Sequence, residues 1–262
     1  MNPKTITNLK ARLLELQRDF GLTALKTGTE VEDMSFSEIA VLRRLSSDIV
    51  PLYVKTGGPE ARNDIRELIR IGVDGIIAPM IESAYALKKF FSTLKEILDE
   101  TTLIRLETGI NLETKTAFEN LESIVSTQEF LQLSQITAAR SDLSGSMGLE
   151  PDDAQVFDIC SVFTAVARRH GLRTSVGGGI HPSIVDKIVE IINPDTVNTR
   201  HMVMNAGILR QEPESVTLAH LSFESELYCQ LANSMPSRRD DFSRRAYIIR
   251  QRMEACTTLA NS

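Results

Sequence analysis

The chain has 262 residues, of which 42% are hydrophobic and 24% are charged, as is typical of a globular protein with a substantial core. Its net charge of -6 gives no basic surface for nucleic acid, and no apolar run reaches the length of a membrane span. The three cysteines are far apart and the amino terminus lacks the apolar core of a signal peptide, so we expect a cytoplasmic protein without disulfides.

Short apolar segments alternate with amphipathic segments along the chain, and each apolar segment predicts a buried strand. Most of them are continuously apolar, as the strands of a parallel sheet are. They cover residues 22–28, 49–55, 72–80, 101–107, 134–140, 173–179 and 195–203. The stretches between them repeat apolar residues at helical spacing, as Ile65, Leu68 and Ile69 do.

Seven strand–helix units predict a (β/α)8 TIM barrel in which one strand is not apparent from the sequence, and a large doubly wound sheet is the alternative. The barrel is favoured because polar residues close several strands in turn, and the strand ends of a barrel converge on one mouth. No linker or repeat divides the chain, so we expect a single domain over residues 1–262. Residues 206–262 lie outside the strand–helix pattern and predict a C-terminal helical extension, packed on the barrel or on a neighbouring subunit.

Two carboxylates, Glu107 and Asp142, each follow an apolar segment and precede residues that favour turns. A buried ionised carboxylate must be paired or ligated to compensate for its lost hydration. Mg²⁺ takes one or two protein carboxylates and leaves its other positions for water and substrate oxygens. The spacing therefore allows two interpretations, a shared divalent-metal site or two helix caps that bond their own loops.

Three motifs carry a family resemblance: GVDGIIAPMIESA at 72–84, LIRLETG at 103–109 and ARSDLSGSMG at 139–148. Over roughly residues 20–205 the chain resembles the HpcH/HpaI aldolase and citrate lyase β-subunit family of the phosphoenolpyruvate/pyruvate superfamily. The resemblance implies a (β/α)8 barrel that binds Mg²⁺ or Mn²⁺ through Glu107 and Asp142. It also implies a pyruvate-like or oxaloacetate-like substrate, whose enolate the metal stabilises as a carbon–carbon bond breaks or forms.

The chain departs from this family at two places. Lys55 stands where the aldolases carry a substrate-binding Arg, and residues 25–36 lack the His that is their usual general base. We therefore expect the catalytic groups to be Glu30, Glu32, Lys55 and Arg140. Lys55 could instead be an ion-pair partner of Glu30 or Glu32, or form a Schiff base, and Arg140 could contact substrate or orient the metal ligands.

Other polar and small residues at the predicted strand ends are expected to bind substrate. The Ser-Gly turn after Asp142 would offer backbone N–H groups to a substrate carboxylate. The expected set is Lys26, Gly57, Gly58, Ser141, Ser144 and Arg200.

The predicted function is a divalent-metal-dependent carbon–carbon lyase or aldolase that acts on a 2-oxo acid. Two alternatives are a biosynthetic condensing enzyme that uses phosphoenolpyruvate or an acyl thioester, and a non-catalytic barrel that kept its ligand site. The expected partners are a small-molecule substrate and further copies of the chain in a homo-oligomer, with neither nucleic acid nor membrane.

Overall fold

A closed barrel of eight strands in chain order forms the centre of the molecule and confirms the predicted TIM-barrel class. The computed structural model describes residues 1–259, and side chains through residue 254. The strands are β1 Leu22–Gly28, β2 Leu52–Lys55, β3 Gly75–Ala78, β4 Glu107–Leu112, β5 Gln135–Ala139, β6 Arg173–Gly177, β7 Thr196–Asn198 and β8 Met202–Asn205. Strands β1 to β7 are parallel, whereas β8 runs antiparallel to both of its neighbours, β7 and β1.

Helices surround the barrel and bury their apolar faces against the strands. They are α1 Pro3–Asp19, α2 Phe36–Ser46, α3 Arg62–Ile71, α4 Ala84–Ile97, α5 Glu100–Arg105, α6 Lys115–Glu119, α7 Leu121–Val125, α8 Arg140–Met147, α9 Ala154–Arg169, α10 Pro182–Lys187, α11 Ala206–Gln211, α12 Pro213–Ser234 and α13 Arg239–Leu259. Residues Ile188–Ile192 form a π-helical turn, and Phe130–Gln132 and Pro236–Arg238 are 3-10 turns. Over residues 1–259, no helix combines the length and the apolar character that crossing a membrane requires.

Local sequence signals explain where several helices begin and end. Ser35 and Glu38 form a reciprocal capping box at the start of α2, which satisfies backbone N–H groups that the first turn leaves unpaired. Helix α3 ends at Gly72, whose φ of 81° places it in the left-handed region that glycine adopts most readily.

Two predicted strand boundaries are wrong. The segment 101–107 was expected to be a strand, but Asp99 accepts a hydrogen bond from the backbone N–H of Thr102 at 2.8 Å and caps helix α5. Strand β4 therefore begins at Glu107 rather than ending there. The segment 195–203 contains all of β7 and the beginning of β8, joined by residues 199–201. The sequence pattern therefore did not separate β8 from β7, and it missed most of β4.

The amino end of the barrel is closed by a polar cluster of Tyr53, Glu107 and Arg173. The Tyr53 hydroxyl donates to Glu107 Oε2 at 2.8 Å, and Arg173 pairs with the same carboxylate. Burial raises the pKa of Tyr53 to about 12. Gly75 leaves room for the Tyr53 ring, since a Cβ there would lie 2.6 Å from Tyr53 Cδ1 and 2.8 Å from the Glu107 carbonyl oxygen.

The C-terminal helices return the chain from the amino end of the barrel to its carboxyl end. Because β8 is antiparallel, Asn205 lies at the amino end, where its side chain caps α11. Helix α12 then passes along the barrel, and its Glu224 and Tyr228 contact the β7–β8 connection at the opposite end. Helix α13 packs mainly on α12.

The Gly75→Ala substitution is expected to destabilise the protein by roughly 1–3 kcal/mol, because the added methyl group overpacks the Tyr53 ring and a backbone oxygen. Gly145→Ala is the control, since a Cβ at this helical position meets no atom within 4 Å. Urea unfolding of the two variants measures the difference. Equal stability of both would contradict the tight contact at Gly75.

Candidate active site

A cavity of about 160 Å³ opens at the carboxyl ends of the strands, and we call this end of the barrel the mouth. This volume is smaller than the sites that hold drug-sized ligands and suits a small metabolite. Four cationic side chains line the cavity together with two carboxylates: Lys26, Lys55, Arg200 and Arg252, and Glu32 and Asp142. The active sites of TIM barrels lie at this end.

The two lysines point into the barrel from neighbouring strands, β1 and β2, and both are buried. Lys55 Nζ lies 2.7 Å from Glu30 Oε2 and 3.7 Å from Glu32 Oε2. Glu32 enters the barrel over Gly28, where a Cβ would collide with its Oε2. The expected ion pairs of Lys55 with Glu30 and Glu32 are therefore present, and the sequence-based alternative that gave Lys55 this role agrees with the geometry.

Burial and neighbouring charges act differently on the two lysines. Burial lowers the pKa of Lys26 below 10.5, and the nearby carboxylates offset this only in part. Burial also disfavours the charge of Lys55, but the carboxylates of Glu32 and Glu30 outweigh it, so the pKa of Lys55 is raised. The two lysines also outweigh the effect of burial on Glu32 and hold its pKa below 4.5. Lys55 therefore keeps its positive charge to a higher pH than a free lysine, whereas Lys26 loses its proton at a lower pH.

Oxygen atoms from β4 and α8 form the opposite side of the site. Glu113, directly after β4, is buried; it accepts a hydrogen bond from the Met80 N–H at 2.7 Å and another from Asn111 Nδ2 at 2.8 Å. Burial raises the pKa of Glu113, and the charge of Asp142 raises it further. Asn111 faces the cavity, and its Oδ1 is buried without a hydrogen-bond partner among the described residues.

Glu107 does not belong to this site. It was expected to share a metal with Asp142, but it opens β4 and pairs with Arg173 at the amino end of the barrel. Glu113 lies at the carboxyl end of the same strand, where its carboxylate interacts with that of Asp142. In the part of the chain that the structure describes, no three His, Cys, Asp or Glu side chains gather into a group that could hold a metal.

The segment after β5 is helix α8 rather than the predicted turn. Asp142 is its third residue and lines the cavity together with Ser141. Ser144 is buried and donates to the Ser141 carbonyl oxygen at 3.0 Å, so it does not line the cavity.

Arg140 was expected at the mouth, but the helix begins at this residue and directs it away from the barrel interior. Its guanidinium lies 5.0 Å from the centre of the Phe157 ring. It donates to the carbonyl oxygens of Pro151 and Gly178 and pairs with Asp152. Arg140 therefore fixes the loops around α8 and does not contact the cavity.

The remaining predicted residues divide between two places. Arg200 lies in the β7–β8 connection and lines the cavity, as Lys26 and Ser141 do. Gly57 and Gly58 instead line a separate shallow groove with Tyr85 and Lys89. The predicted substrate contacts at Gly57 and Gly58 thus lie outside the mouth.

Three residues of the site were missed from the sequence: Glu113, Asn111 and Arg252. Glu113 could have been found, because NLETK repeats the pattern of an apolar segment that ends in a carboxylate. Asn111 is two residues before Glu113 and therefore on the same side of the strand. Arg252 comes from α13, which no strand–helix pattern connects with the mouth.

A buried network ties the mouth to α12. His201 Nδ1 lies 3.1 Å from the Lys26 carbonyl oxygen, and its Nε2 lies 2.7 Å from the Tyr228 hydroxyl. Glu224 accepts from the His201 N–H at 2.5 Å and from the Thr199 hydroxyl at 3.0 Å. Burial lowers the pKa of His201 to about 4, so this imidazole is neutral at physiological pH. The network fixes the backbone that carries Lys26.

Solved structures with the same fold include members of one enzyme family. An HpcH/HpaI aldolase from Desulfitobacterium hafniense DCB-2 is 16% identical, with a TM-score of 0.59, over 76% of this chain and 81% of its own. An HpcH/HpaI aldolase/citrate lyase family protein from Burkholderia cenocepacia J2315 is 14% identical, with a TM-score of 0.55, over 70% of this chain and 88% of its own. The citrate synthase SbnG is 15% identical, with a TM-score of 0.56, over 84% of this chain and 90% of its own.

At these identities the structural matches establish the fold alone. No protein in the curated set matches the sequence. Residues 52–176, from β2 into β6, match the sequence model of HpcH/HpaI aldolase/citrate lyase. Over this segment, just under half of the chain, the sequence is similar to the HpcH/HpaI aldolase/citrate lyase family.

Proposed function

We propose that the protein is a divalent-metal-dependent carbon–carbon lyase or aldolase that acts on a 2-oxo acid. The observation that carries this proposal is one small cavity in which two buried lysines face oxygen atoms of Asp142 and Asn111, with the buried Glu113 bonded to Asn111 beside it. Cations can bind the carboxylate of a 2-oxo acid, and the oxygen ligands suit a hard metal ion that binds its keto oxygen. The match of residues 52–176 to the HpcH/HpaI aldolase/citrate lyase model supports the same class of chemistry.

The donor atoms fit Mg²⁺ or Mn²⁺. All are oxygens, and the charge of Asp142 helps to raise the pKa of Glu113, an effect that a divalent cation would relieve. Asn111 Oδ1 is buried and has no partner among the described residues, so it is available as an acceptor. Glu113 and Asp142 would hold the ion, which supplies Lewis-acid stabilisation of an enolate.

Lys55 is proposed to bind the substrate carboxylate. Its raised pKa keeps it charged at physiological pH, and the carboxylates of Glu30 and Glu32 fix its position. As a lysine it offers a point charge instead of the bidentate fork of an arginine, so it constrains the orientation of the substrate less. The oxygen ligands across the cavity would then provide the remaining orientation.

Lys26 is proposed to carry the proton at the carbon next to the keto group. Glu30 and Glu32 were expected to do so, but the depressed pKa of Glu32 makes it a weak base. Lys26 has a lowered pKa and lines the same cavity. Its neutral amine would accept the proton as the enolate forms and return it when the enolate is quenched.

The same residues could serve the condensing direction, which passes through the same enolate. A biosynthetic condensing enzyme therefore stays the second candidate, and the fold shared with the citrate synthase SbnG is compatible with it. The position of Lys26 in the cavity together with its lowered pKa favours the catalytic proposals over the non-catalytic barrel. The expected homo-oligomer and cytoplasmic location stay predictions.

Substitution of either proposed metal ligand, as in Asp142→Asn or Glu113→Gln, should slow the exchange of pyruvate methyl protons with deuterated water by about 10²-fold or more, because the developing enolate loses its counter-charge. Proton NMR with Mg²⁺ or Mn²⁺ measures the rate. Glu107→Gln is the matched control and should exchange as the wild type does, since Glu107 lies at the opposite end of the barrel. Exchange that depends on Glu107 and not on Glu113 would contradict the proposed site.

The exchange rate of the wild type should rise with pH through the depressed pKa of Lys26, because the neutral amine is the base and its pKa lies below 10.5. Lys26→Met should lose this dependence and about 10²-fold or more in rate. Lys55→Met should instead weaken pyruvate binding while the pH dependence remains. A wild-type rise that persists in Lys26→Met would assign the base to another group.

A further inference from the structure

The position of the Lys26 amine depends on the backbone that carries it. Lys26 is buried and lines the cavity, and among the described residues no side chain forms a salt bridge with it, whereas Lys55 has two carboxylate partners. The neighbouring Glu32 is held independently by α13, because Arg245 and Arg238 donate to the carbonyl oxygens of residues 32 and 33. The place of the amine in the cavity therefore follows from how residue 26 of β1 is fixed.

One residue, His201, bonds to both backbone polar groups of Lys26. The Lys26 N–H donates to the His201 carbonyl oxygen at 2.9 Å, and the Lys26 carbonyl oxygen lies 3.1 Å from His201 Nδ1. Strand β8 begins at Met202, which pairs with Leu25 of β1, so Lys26 lies just beyond the first residue of β8. The imidazole therefore supplies the donor that a longer β8 would have supplied from its backbone.

Tyr228 determines which ring nitrogen of His201 carries the proton. The imidazole is neutral at physiological pH, so one ring nitrogen donates and the other accepts. Because the Lys26 carbonyl oxygen can only accept, the proton belongs on Nδ1. Nε2 then accepts from the Tyr228 hydroxyl at 2.7 Å, and burial raises the pKa of this phenol, which keeps its proton. Without the hydroxyl, the proton could move to Nε2, and Nδ1 would face the Lys26 oxygen as a second acceptor.

We propose that His201 and Tyr228 are positioning residues for the proton-transfer step, and that they act on Lys26 through its backbone. The inference rests on the function proposed above, in which the Lys26 amine carries the proton at the carbon next to the keto group. Neither residue lines the cavity. Their loss should therefore lower the maximal rate of exchange and leave pyruvate binding almost unchanged, since binding is assigned to Lys55 and the oxygen ligands.

Two amide substitutions at His201 separate its contact with Lys26 from its contact with Tyr228. The asparagine amide lies where Nδ1 does, so His201→Asn keeps a donor to the Lys26 carbonyl oxygen. The longer glutamine reaches the position of Nε2, so His201→Gln keeps the contact with Tyr228 instead. Proton NMR of pyruvate exchange at saturating Mn²⁺ gives kcat and KM. His201→Gln should lower kcat about tenfold with KM within about twofold, whereas His201→Asn should keep kcat within about threefold of the wild type.

Two variants of α12 complete the comparison. Tyr228→Phe should lower kcat as His201→Gln does, but by less, since part of the molecules still carry the proton on Nδ1. His220→Gln is the control, because His220 is also a buried histidine but bonds to the Val216 carbonyl oxygen at 2.8 Å and lies outside the network. It should change neither kcat nor KM.

The titration of Lys26 tests the positioning without catalysis. Reductive methylation with ¹³C-formaldehyde labels the lysine amines, and loss of one NMR signal in Lys26→Met assigns Lys26. Its pKa should lie below those of the exposed lysines in the wild type and in His201→Asn, because burial lowers it. In His201→Gln the pKa should rise, since a displaced amine regains solvent. The charges that face this amine are those of Glu32, Lys55, Glu113 and Asp142.

Three results would overturn the inference. An equal loss of kcat in His201→Asn and His201→Gln would mean that His201 acts through packing alone, and so would a Lys26 pKa that is the same in His201→Gln and the wild type. A raised KM with unchanged kcat in His201→Gln would assign His201 to binding. If the wild type exchanges no pyruvate protons, the proposed function fails, and the Lys26 titration alone then decides whether His201 positions this amine.

Discussion

The organisation of the mouth depends on two lysine ammonium groups that are buried and desolvated. Lys26 and Lys55 lie inside the barrel on adjacent strands, and desolvation penalises the charge of both. Carboxylates can offset this penalty only at close range, which requires Glu32 to turn back into the barrel over Gly28. The shape of residues 29–35 after β1 therefore follows from the need to neutralise Lys55, and the arginines of α13 stabilise that shape.

The two ends of the barrel use charged residues differently. At the amino end, Tyr53, Glu107 and Arg173 satisfy one another and close the interior. At the carboxyl end, Asn111 Oδ1 and Glu32 Oε2 are buried without a hydrogen bond among the described residues. Unsatisfied polar atoms are costly in a core, so these two oxygens are available as hydrogen-bond acceptors at the mouth.

Much of the fold could be predicted from the sequence, and the errors have definite physical causes. The continuous apolar runs identified β1, β2, β3, β5, β6 and β7, because parallel strands are buried on both faces. The run before Glu107 was mistaken for a strand, since a short apolar segment fits a helix as well. Because of that error, Glu107 was predicted as a metal ligand, whereas Glu113 is the carboxylate at the carboxyl end of β4. Arg140 was misplaced because strand alternation stops where α8 begins, whereas Lys26, Lys55 and Asp142 were found from their positions at strand ends.

The antiparallel course of β8 has a consequence for the route of the whole C-terminal region. In the repeating strand–helix unit, each helix carries the chain from the mouth back to the base of the barrel. Strand β8 itself runs from the mouth back to the base. The 22-residue helix α12, about 33 Å long, therefore runs from the base to the mouth. The direction of one four-residue strand thus decides which end of the barrel the last helix reaches. Strand β8 closes the barrel, and the helices that follow it, α12 and α13, bring the chain back to the mouth.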